Sequence, residues 1–134
     1  MQRIGNKMNE ELIQIILEDV IEFQNSIATE LGTTAGISSM ALLASAVNAP
    51  FQSVFGQDAY PTVYEKAARL AFGIINNHAF IDGNKRAGIH AMELFLLIND
   101  IYLDNTNVAD IAVAIAEKNL EIPEITTWIK DHLI

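Results

Sequence analysis

Apolar residues recur at helical spacing along most of this chain, and the pattern predicts six helices. Asn9 is placed to cap the first helix and Gly32 to end it. The buried stripe of this helix carries Leu12, Ile13, Ile16, Val20, Phe23 and Ile27. Two later segments, Pro61–Asn77 and Asn84–Asn99, are apolar on nearly every face, so we expect them to be central helices.

Three shorter helices complete the prediction. One covers about Ser39–Val47, and the other two begin at a Thr106 or Asn107 cap and at Pro123. The chain has no strand pattern of useful length, no internal repeat and no low-complexity linker. The predicted fold class is therefore all-α, with short connections between the helices.

One segment stands apart because it has no charge: Leu31–Gln57 contains no charged residue in 27 positions. It is too rich in Gly, Ser, Thr, Asn and Pro for a membrane span. Its second part, from Asn48 to Tyr60, is predicted to be a loop or hairpin. Phe51 and Phe55 in that loop are compatible equally with a recognition flap and with packing against the domain.

Length and composition indicate one cytoplasmic domain. A chain of 134 residues is expected to form a single domain, here residues 9–134 after a flexible N-terminus of residues 1–8. The absence of cysteine excludes disulfides and thiolate metal sites and suits a reducing compartment. The N-terminus lacks the apolar core of a signal peptide, and the longest aliphatic and aromatic run, Leu94–Ile98, is far shorter than the roughly 20 residues of a membrane span.

The charge is strongly acidic, with 17 acidic and 8 basic residues and a net charge of −9. Such a chain is not expected to bind nucleic acid or an anionic membrane. Between Met8 and Glu117 the basic residues are Lys66, Arg69, Lys85 and Arg86. This concentration indicates a site for a small anion. For Lys66 and Arg69, however, a solvated helix face with a Glu65–Arg69 pair is the preferred interpretation.

The stretch His78–Gly88, "HAFIDGNKRAG", places polar residues between the two central helices. Free N–H groups and the positive dipole end at a helix N-terminus bind anions, and a glycine there lets a phosphate come close. Gly83 and Asn84 supply this geometry, while Lys85 and Arg86 add positive charge. Two cations in a first helical turn oppose the helix dipole, which favours a ligand-binding role.

Three further residues of this stretch carry candidate chemistry. Asp82 offers one carboxylate, and Mg²⁺ often binds one or two carboxylates together with substrate phosphates. His78 can exchange a proton near neutral pH, and Phe80 is expected to point inward as an anchor. Each residue alone is more simply structural, because Asp before Gly is a common turn and a histidine at a helix end is usually inert. The set acting together favours function.

The pattern H-x-F-x-D-G-N-K-R resembles the signature of the Fic/Doc superfamily. The lysine after G-N, and the lack of a second arginine three residues beyond Arg86, resemble its Doc (death-on-curing) branch. The resemblance covers most of the chain, because "LLASAV", "FGQDAYPT", "EKAARLAF" and "AMELFLLIND" also come in the order and spacing of a Doc-type toxin.

This resemblance implies a helical domain whose helix-loop-helix carries the active site, with Phe51–Tyr60 as a flap that aligns the target. Family members transfer part of a nucleotide to a protein hydroxyl: AMP in the Fic branch, and in the Doc branch the γ-phosphate of ATP, onto a threonine of elongation factor Tu. The implied roles are general base for His78, Mg²⁺ ligand for Asp82, anion hole for Gly83 and Asn84, phosphate ligands for Lys85 and Arg86, and buried anchor for Phe80. A small antitoxin with a disordered segment is the implied partner.

The chain departs from the family pattern at a few positions. The G-x-R-D motif before the short helix stands here as Gly36–Ser39, and the glutamate of "LLESA" is Ala44. If the missing charges position nucleotide or target, that task is weakened or passes to other residues, and the alternative is an inactive relative that binds nucleotide or a partner. If they are structural salt-bridge partners, their joint loss is harmless. Ile89 replaces the second arginine of the AMP-transferring enzymes, which makes AMP transfer the less favoured reaction.

The other two histidines, His90 and His132, are assigned structural roles. His90 is spaced to share a helix face with Arg86 and Glu93, and a structural network is preferred there over substrate contact. His132 lies in the last helical turn, where a cation suits the dipole, and it is assigned no catalytic role.

Overall fold

The computed structural model describes residues 2–33 and 36–134. Its helices are α1 (Gln2–Leu31), α2 (Met40–Asn48), α3 (Val63–Asn77), α4 (Asn84–Ile98), α5 (Val108–Glu117) and α6 (Ile122–Asp131). A 3₁₀ turn covers Ala49–Phe51, and a hairpin pairs β1 (Ser53–Val54) with β2 (Gln57–Asp58) in antiparallel register. The all-α fold class predicted from the apolar periodicity is confirmed. Within the described ranges, no helix combines the length and apolarity needed to cross a bilayer.

The two segments predicted to be central form the middle of the fold. α3 contacts α2, α4, α5 and α6, and α1 lies against α2 and α4. Leu70, Ile74, Met92 and Leu96 are fully buried between these helices, and each contributes on the order of 2 kcal/mol of burial free energy. At Gly88 a Cβ would lie 2.6 Å from Ile75 Cγ1, so the missing side chain lets α4 approach α3 closely.

Two predicted helix starts are wrong. α1 begins at Gln2, so Asn9 lies inside the helix instead of capping it, since no proline before it stops the helix. α3 begins at Val63 because Thr62 caps it: the Thr62 Oγ1 accepts the N–H of Glu65 at 3.1 Å. Pro61 therefore precedes the helix. The division of the chain into residues 1–8 and a domain from residue 9 stays a prediction.

In the loop predicted from Asn48 to Tyr60, one phenylalanine packs against the domain and the other is exposed to solvent. Phe51 packs edge-on against Phe95, with ring centroids 5.7 Å apart. Phe55 is fully exposed at the hairpin tip, where Phe55 and Gly56 both have positive φ, 53° and 77°. The packing interpretation is thus correct for Phe51, while Phe55 remains available to contact another molecule.

The basic residues of α3 are not a solvated face. The Lys66 Nζ donates to Asp58 Oδ2 at 3.2 Å and also to the C=O of Tyr60, which ties the base of the hairpin to α3. Arg69 makes no ion pair with Glu65; its guanidinium lies 5.6 Å from the ring centroid of Phe72, and its Nη1 is buried without a hydrogen-bond partner. Aromatic packing and burial displaced the expected surface pair, which is worth only about 0.3–0.5 kcal/mol.

Candidate functional site

His78 ends α3 in a left-handed conformation, with φ 53° and ψ 45°. This conformation is uncommon for residues other than glycine, although histidine is among those that adopt it more often. The His78 side chain is exposed and makes no hydrogen bond with the described residues. The turn at His78 directs the chain away from the α3 axis into the loop of residues 79–83, and the imidazole is free to meet a ligand.

Asn84 shapes this loop with its side chain. Its Oδ1 accepts the N–H of Phe80 and its Nδ2 donates to the C=O of Phe80, both at 3.0 Å. Phe80 itself is only 3% exposed and belongs to the hydrophobic core. Both ends of the Asn84 amide are thus engaged with the loop, and the backbone N–H of Asn84 accompanies them as a donor with no backbone partner.

The charge-free segment supports the loop through its backbone. Residues 36–39 run antiparallel to residues 79–81. Three hydrogen bonds join the two segments, from Ser38 and Ser39 N–H to the C=O of Ala79 (2.7 and 3.1 Å) and from Ile81 N–H to the C=O of Gly36 (3.1 Å). A Cβ at Gly36 would lie 2.5 Å from Ile81 Cδ1, so the exposed Ile81 side chain packs directly on the glycine.

Ser39 has a second role. Its Oγ accepts the N–H of Leu42 at 3.1 Å and caps α2. Serine and aspartate are comparable N-cap residues, so the serine at the position of the G-x-R-D aspartate keeps the cap while losing the charge.

The N-terminus of α4 leaves its backbone donors free. Gly83 is the N-cap with φ 75°, no side chain caps the helix, and the first helical bond runs from Ala87 N–H to the C=O of Gly83 at 2.9 Å. The N–H groups of Asn84, Lys85 and Arg86 therefore have no backbone partner. These free donors and the helix dipole together attract an anion.

Lys85 and Arg86 add charge that nothing nearby neutralises. Within the described residues the close contacts between basic and acidic side chains are the Lys66–Asp58 ion pair and the His90–Asp19 contact, and neither involves these two cations. Lys85 is exposed and Arg86 is half-buried. The junction thus combines free backbone donors with two unpaired cations.

Gln24 was missed by the sequence reasoning. It is only 5% exposed, its Nε2 donates to the C=O of Asp82 at 3.0 Å and more weakly to that of Gly83 at 3.4 Å, and its Oε1 accepts the Nε–H of Arg86 at 3.2 Å. The available signal was a polar residue one helical turn after Val20 on the buried stripe of α1. A polar group on such a stripe needs buried partners.

Comparison with known proteins agrees with this geometry. Residues 7–96 match the sequence profile of the family described as Fic/DOC family. The chain is also 36% identical over 112 residues to a protein named Toxin Doc from Mycolicibacterium smegmatis. The aligned region covers 81% of this chain and 84% of that protein. The chain belongs to the Fic/DOC family. Its similarity to a Doc toxin places it in the Doc branch.

In this Fic/DOC-family chain the donor set at Asp82 fits Mg²⁺ bound together with a phosphate. The Asp82 side chain is exposed and makes no ion pair with the described residues, so its carboxylate can take a ligand. In the part of the chain that the structure describes, no three His, Asp or Glu side chains converge into a protein-only metal site. A single carboxylate is the ligand set Mg²⁺ uses when phosphate oxygens and water complete its coordination.

A groove of about 770 Å³ adjoins the site between α1, α4 and α5. Its polar lining includes Lys85, Arg86, His90 and Glu93, so the predicted shared face of α4 opens into it. Most of the remaining wall is apolar, contributed by residues such as Leu94, Leu97, Val108, Ala112 and Val113. The groove therefore connects the two unpaired cations to a long apolar surface.

The histidine of this groove makes structural contacts with α1, whereas the sequence predicted a network with Arg86 and Glu93 on its own helix face. The His90 Nε2 lies 2.5 Å from Asp19 Oδ2, and the His90 ring stacks on Phe23 with centroids 3.8 Å apart. These contacts join α4 to α1. Burial raises the pKa of Glu93, although the charge of His90 and a hydrogen bond from Asn105 act in the opposite direction. Desolvation is therefore the dominant influence on this carboxyl group.

Proposed function

We propose that this chain is a Doc-type toxin enzyme that transfers the γ-phosphate of ATP to a serine or threonine hydroxyl of a target protein. Elongation factor Tu is the expected target because of the family resemblance. The proposal rests on the junction of α3 and α4, where free N–H groups and the unpaired Lys85 and Arg86 at the start of α4 adjoin His78 and Asp82. Such a set suits phosphoryl transfer, in which positioning and charge stabilisation supply most of the catalysis.

In this proposal the backbone N–H groups of Gly83 and Asn84 bind phosphate oxygens, and Lys85 and Arg86 hold the triphosphate. The Nη1 and Nη2 groups of Arg86 make no hydrogen bond with the described residues, and they are the donors that bind an oxygen pair. Asp82 would hold Mg²⁺, which when bound neutralises charge on the phosphates.

The transfer step requires a base for the acceptor hydroxyl. His78 takes the proton of the serine or threonine hydroxyl through its imidazole. The hydroxyl oxygen then forms a bond to the γ-phosphorus while the bond from the γ-phosphorus to the β–γ bridging oxygen breaks. The products are a phosphorylated protein and ADP, and the proton on His78 passes to solvent.

AMP transfer is the less favoured reaction for this site. Ile89, where the AMP-transferring relatives have a second arginine, is only 7% exposed and offers no charge to a triphosphate. Binding without transfer is the other alternative from the sequence. The intact pairing of residues 36–39 with the loop supports an active enzyme over that alternative.

We also propose that a small antitoxin in the same cytoplasm binds and inhibits this chain. A disordered antitoxin segment that folds into the groove would cover apolar wall and reach Lys85 and Arg86, which line the same groove. Binding there would compete with phosphate for these two cations. The acidic charge of the whole chain, −9, supports a protein partner over nucleic acid.

The test is incubation of the purified chain and Mg²⁺ with elongation factor Tu and ATP labelled on either the γ- or the α-phosphate. Label from the γ-position on the target is expected. Transfer of the α-label would replace the phosphotransferase with an AMP transferase. Mg²⁺-dependent ATP binding by calorimetry, with no transfer to any protein of a cell extract, would favour the binding-only relative.

A further inference from the structure

Gln24 and Thr126 are the two buried polar residues in the described part of the chain. Thr126 satisfies its hydroxyl within its own helix, donating to the C=O of Ile122 at 2.8 Å. Gln24 instead bonds to residues 58 to 62 positions away in the sequence. A buried amide that spans this distance ties α1 to the loop before α4.

The orientation of the Gln24 amide follows from its partners. The Nε–H of Arg86 can only donate, and the two loop carbonyls can only accept. The Oε1 must therefore face Arg86, and the Nε2 must face the C=O groups of Asp82 and Gly83. The reversed amide would lose all three contacts, so a single orientation satisfies the site.

These contacts also set the direction of the backbone donors. In a trans peptide the C=O of one residue and the N–H of the next point in opposite directions. With the C=O of Asp82 held toward Gln24, the N–H of Gly83 points away from α1. The C=O of Gly83 is held mainly by the helical bond from Ala87 at 2.9 Å, and the contact with Gln24 at 3.4 Å adds to it, so the N–H of Asn84 points the same way. These are the two N–H groups assigned to the anion hole.

The Arg86 guanidinium is held at the same place. A Cβ at Gly83 would lie 2.7 Å from Arg86 Cζ and 3.0 Å from Gln24 Nε2, so the guanidinium and the amide both pack on the glycine. Gln24 engages only the Nε–H of Arg86, which leaves the two terminal nitrogens for a ligand. One buried amide thereby holds both the Asp82–Gly83 peptide and the cation of the phosphate site.

We infer that Gln24 is a positioning residue for the phosphate site: it orients the anion-hole N–H of Gly83 and the Arg86 guanidinium toward one bound phosphate. The kinetic part of this inference rests on the proposed function. The geometric part does not, because it concerns how the free protein holds an anion.

The main variant is Gln24→Met, which keeps the length and burial of the side chain and removes all three contacts. Thr126→Val is the matched control, since it removes a hydrogen bond of the other buried polar residue. We expect Gln24→Met to raise the KM for ATP and lower kcat, with a combined loss of about tenfold to hundredfold, as for a modest misplacement of a binding group. Thr126→Val should change neither constant, even where it lowers the melting temperature as much.

A second variant adds a readout that loop stability alone would not produce. Gln24→Glu keeps an acceptor for Arg86 but regains a donor for the carbonyls only when the carboxyl is protonated. The activity of Gln24→Glu relative to wild type should therefore rise as the pH falls. A flat ratio across pH, together with unchanged constants in Gln24→Met, would overturn the inference.

Two measurements on the free protein separate this inference from the proposed reaction. Calorimetry with pyrophosphate should show about tenfold weaker binding in Gln24→Met, and the Arg86 Nε–H should exchange faster with water by NMR. If wild type transfers nothing but these two differences appear, the proposed function fails and the positioning role stands. If pyrophosphate binding and exchange equal those of wild type, the positioning role fails whatever the activity.

Discussion

The side-chain amide of Asn84 closes a ring with the backbone of Phe80, accepting its N–H and donating to its C=O at 3.0 Å each. A residue of the signature motif is thus occupied with the loop that carries the motif. The proposed anion contact of Asn84 is its main-chain N–H. The structural role of the side chain can be tested separately from the backbone donor, because removing the side chain leaves the backbone N–H in place.

Replacing Asn84 with Ala should lower the free energy of unfolding by about 2 kcal/mol, since two hydrogen bonds of about 1 kcal/mol each are lost. Asn99→Ala is the control at the other end of α4, where the side chain makes one bond to the C=O of Phe95 at 2.8 Å. That variant should lose about 1 kcal/mol. Urea unfolding measures both, and an equal or smaller loss at position 84 would contradict the ring.

His78→Asn should abolish phosphate transfer while leaving the fold intact. Asparagine tolerates the left-handed backbone of position 78, where φ is 53°. Loss of a general base costs about 10²–10⁴-fold in rate. His132→Asn is the control, because His132 stacks on Trp128 and its Nδ1 contacts the C=O of Trp128. Full transfer by His78→Asn would remove the imidazole from its role.

The stability of the chain should carry a pH signature from Glu93. Burial raises the pKa of this carboxyl group in the folded state above its value in the unfolded chain. Between the two pKa values the folded state holds a proton that the unfolded state has lost, so the free energy of unfolding falls as pH rises. The ionised Glu93 therefore destabilises the fold at neutral pH.

Glu93→Gln should accordingly raise the melting temperature at pH 7. The gain should disappear below the ordinary pKa of a glutamate, about 4.3, where both states are protonated. Thermal unfolding across this range measures the effect, and Glu117→Gln on the exposed part of α5 is the control. A gain that persists at low pH would assign the effect to a cause other than ionisation.

Phe55→Asn should separate target recognition from stability. Two successive positive φ values are those of a type I′ turn, in which Asn-Gly is the preferred pair. The variant should therefore keep or increase stability. It should also lower transfer to the protein target several-fold without changing the KM for ATP, because a fully exposed aromatic side chain is lost. Ile15→Gln, which removes another exposed apolar side chain on α1, should leave transfer unchanged.

The sequence predicted the parts of this site that are neighbours along the chain. Local order placed His78, Asp82 and Arg86 around one turn, and apolar periodicity placed the two central helices on either side. The roles of Gln24 and of residues 36–39 were not predicted, because their partners lie about 40 to 60 residues away in the sequence. Several of those contacts are made by backbone atoms, which are the same for every residue type and leave no signature.

Other errors came from treating single residues by their usual preference. Asn9 is a good cap, yet α1 runs through it. Lys66 and Arg69 are usual surface residues, but the hairpin and Phe72 supply them with partners that helical spacing does not reveal. In each case a tertiary contact decided between locally similar alternatives.

The antiparallel pairing of residues 36–39 with residues 79–81 limits how far the signature can be moved. A peptide carrying "HAFIDGNKRAG" would lack the segment of residues 36–39 that bonds to Ala79 and Ile81, and it would also lack the amide of Gln24. Grafting these eleven residues onto another helical hairpin would therefore transfer the side chains of the site without the contacts that hold its backbone. The portable unit is α1 through α4, and engineering of this activity should exchange that unit whole.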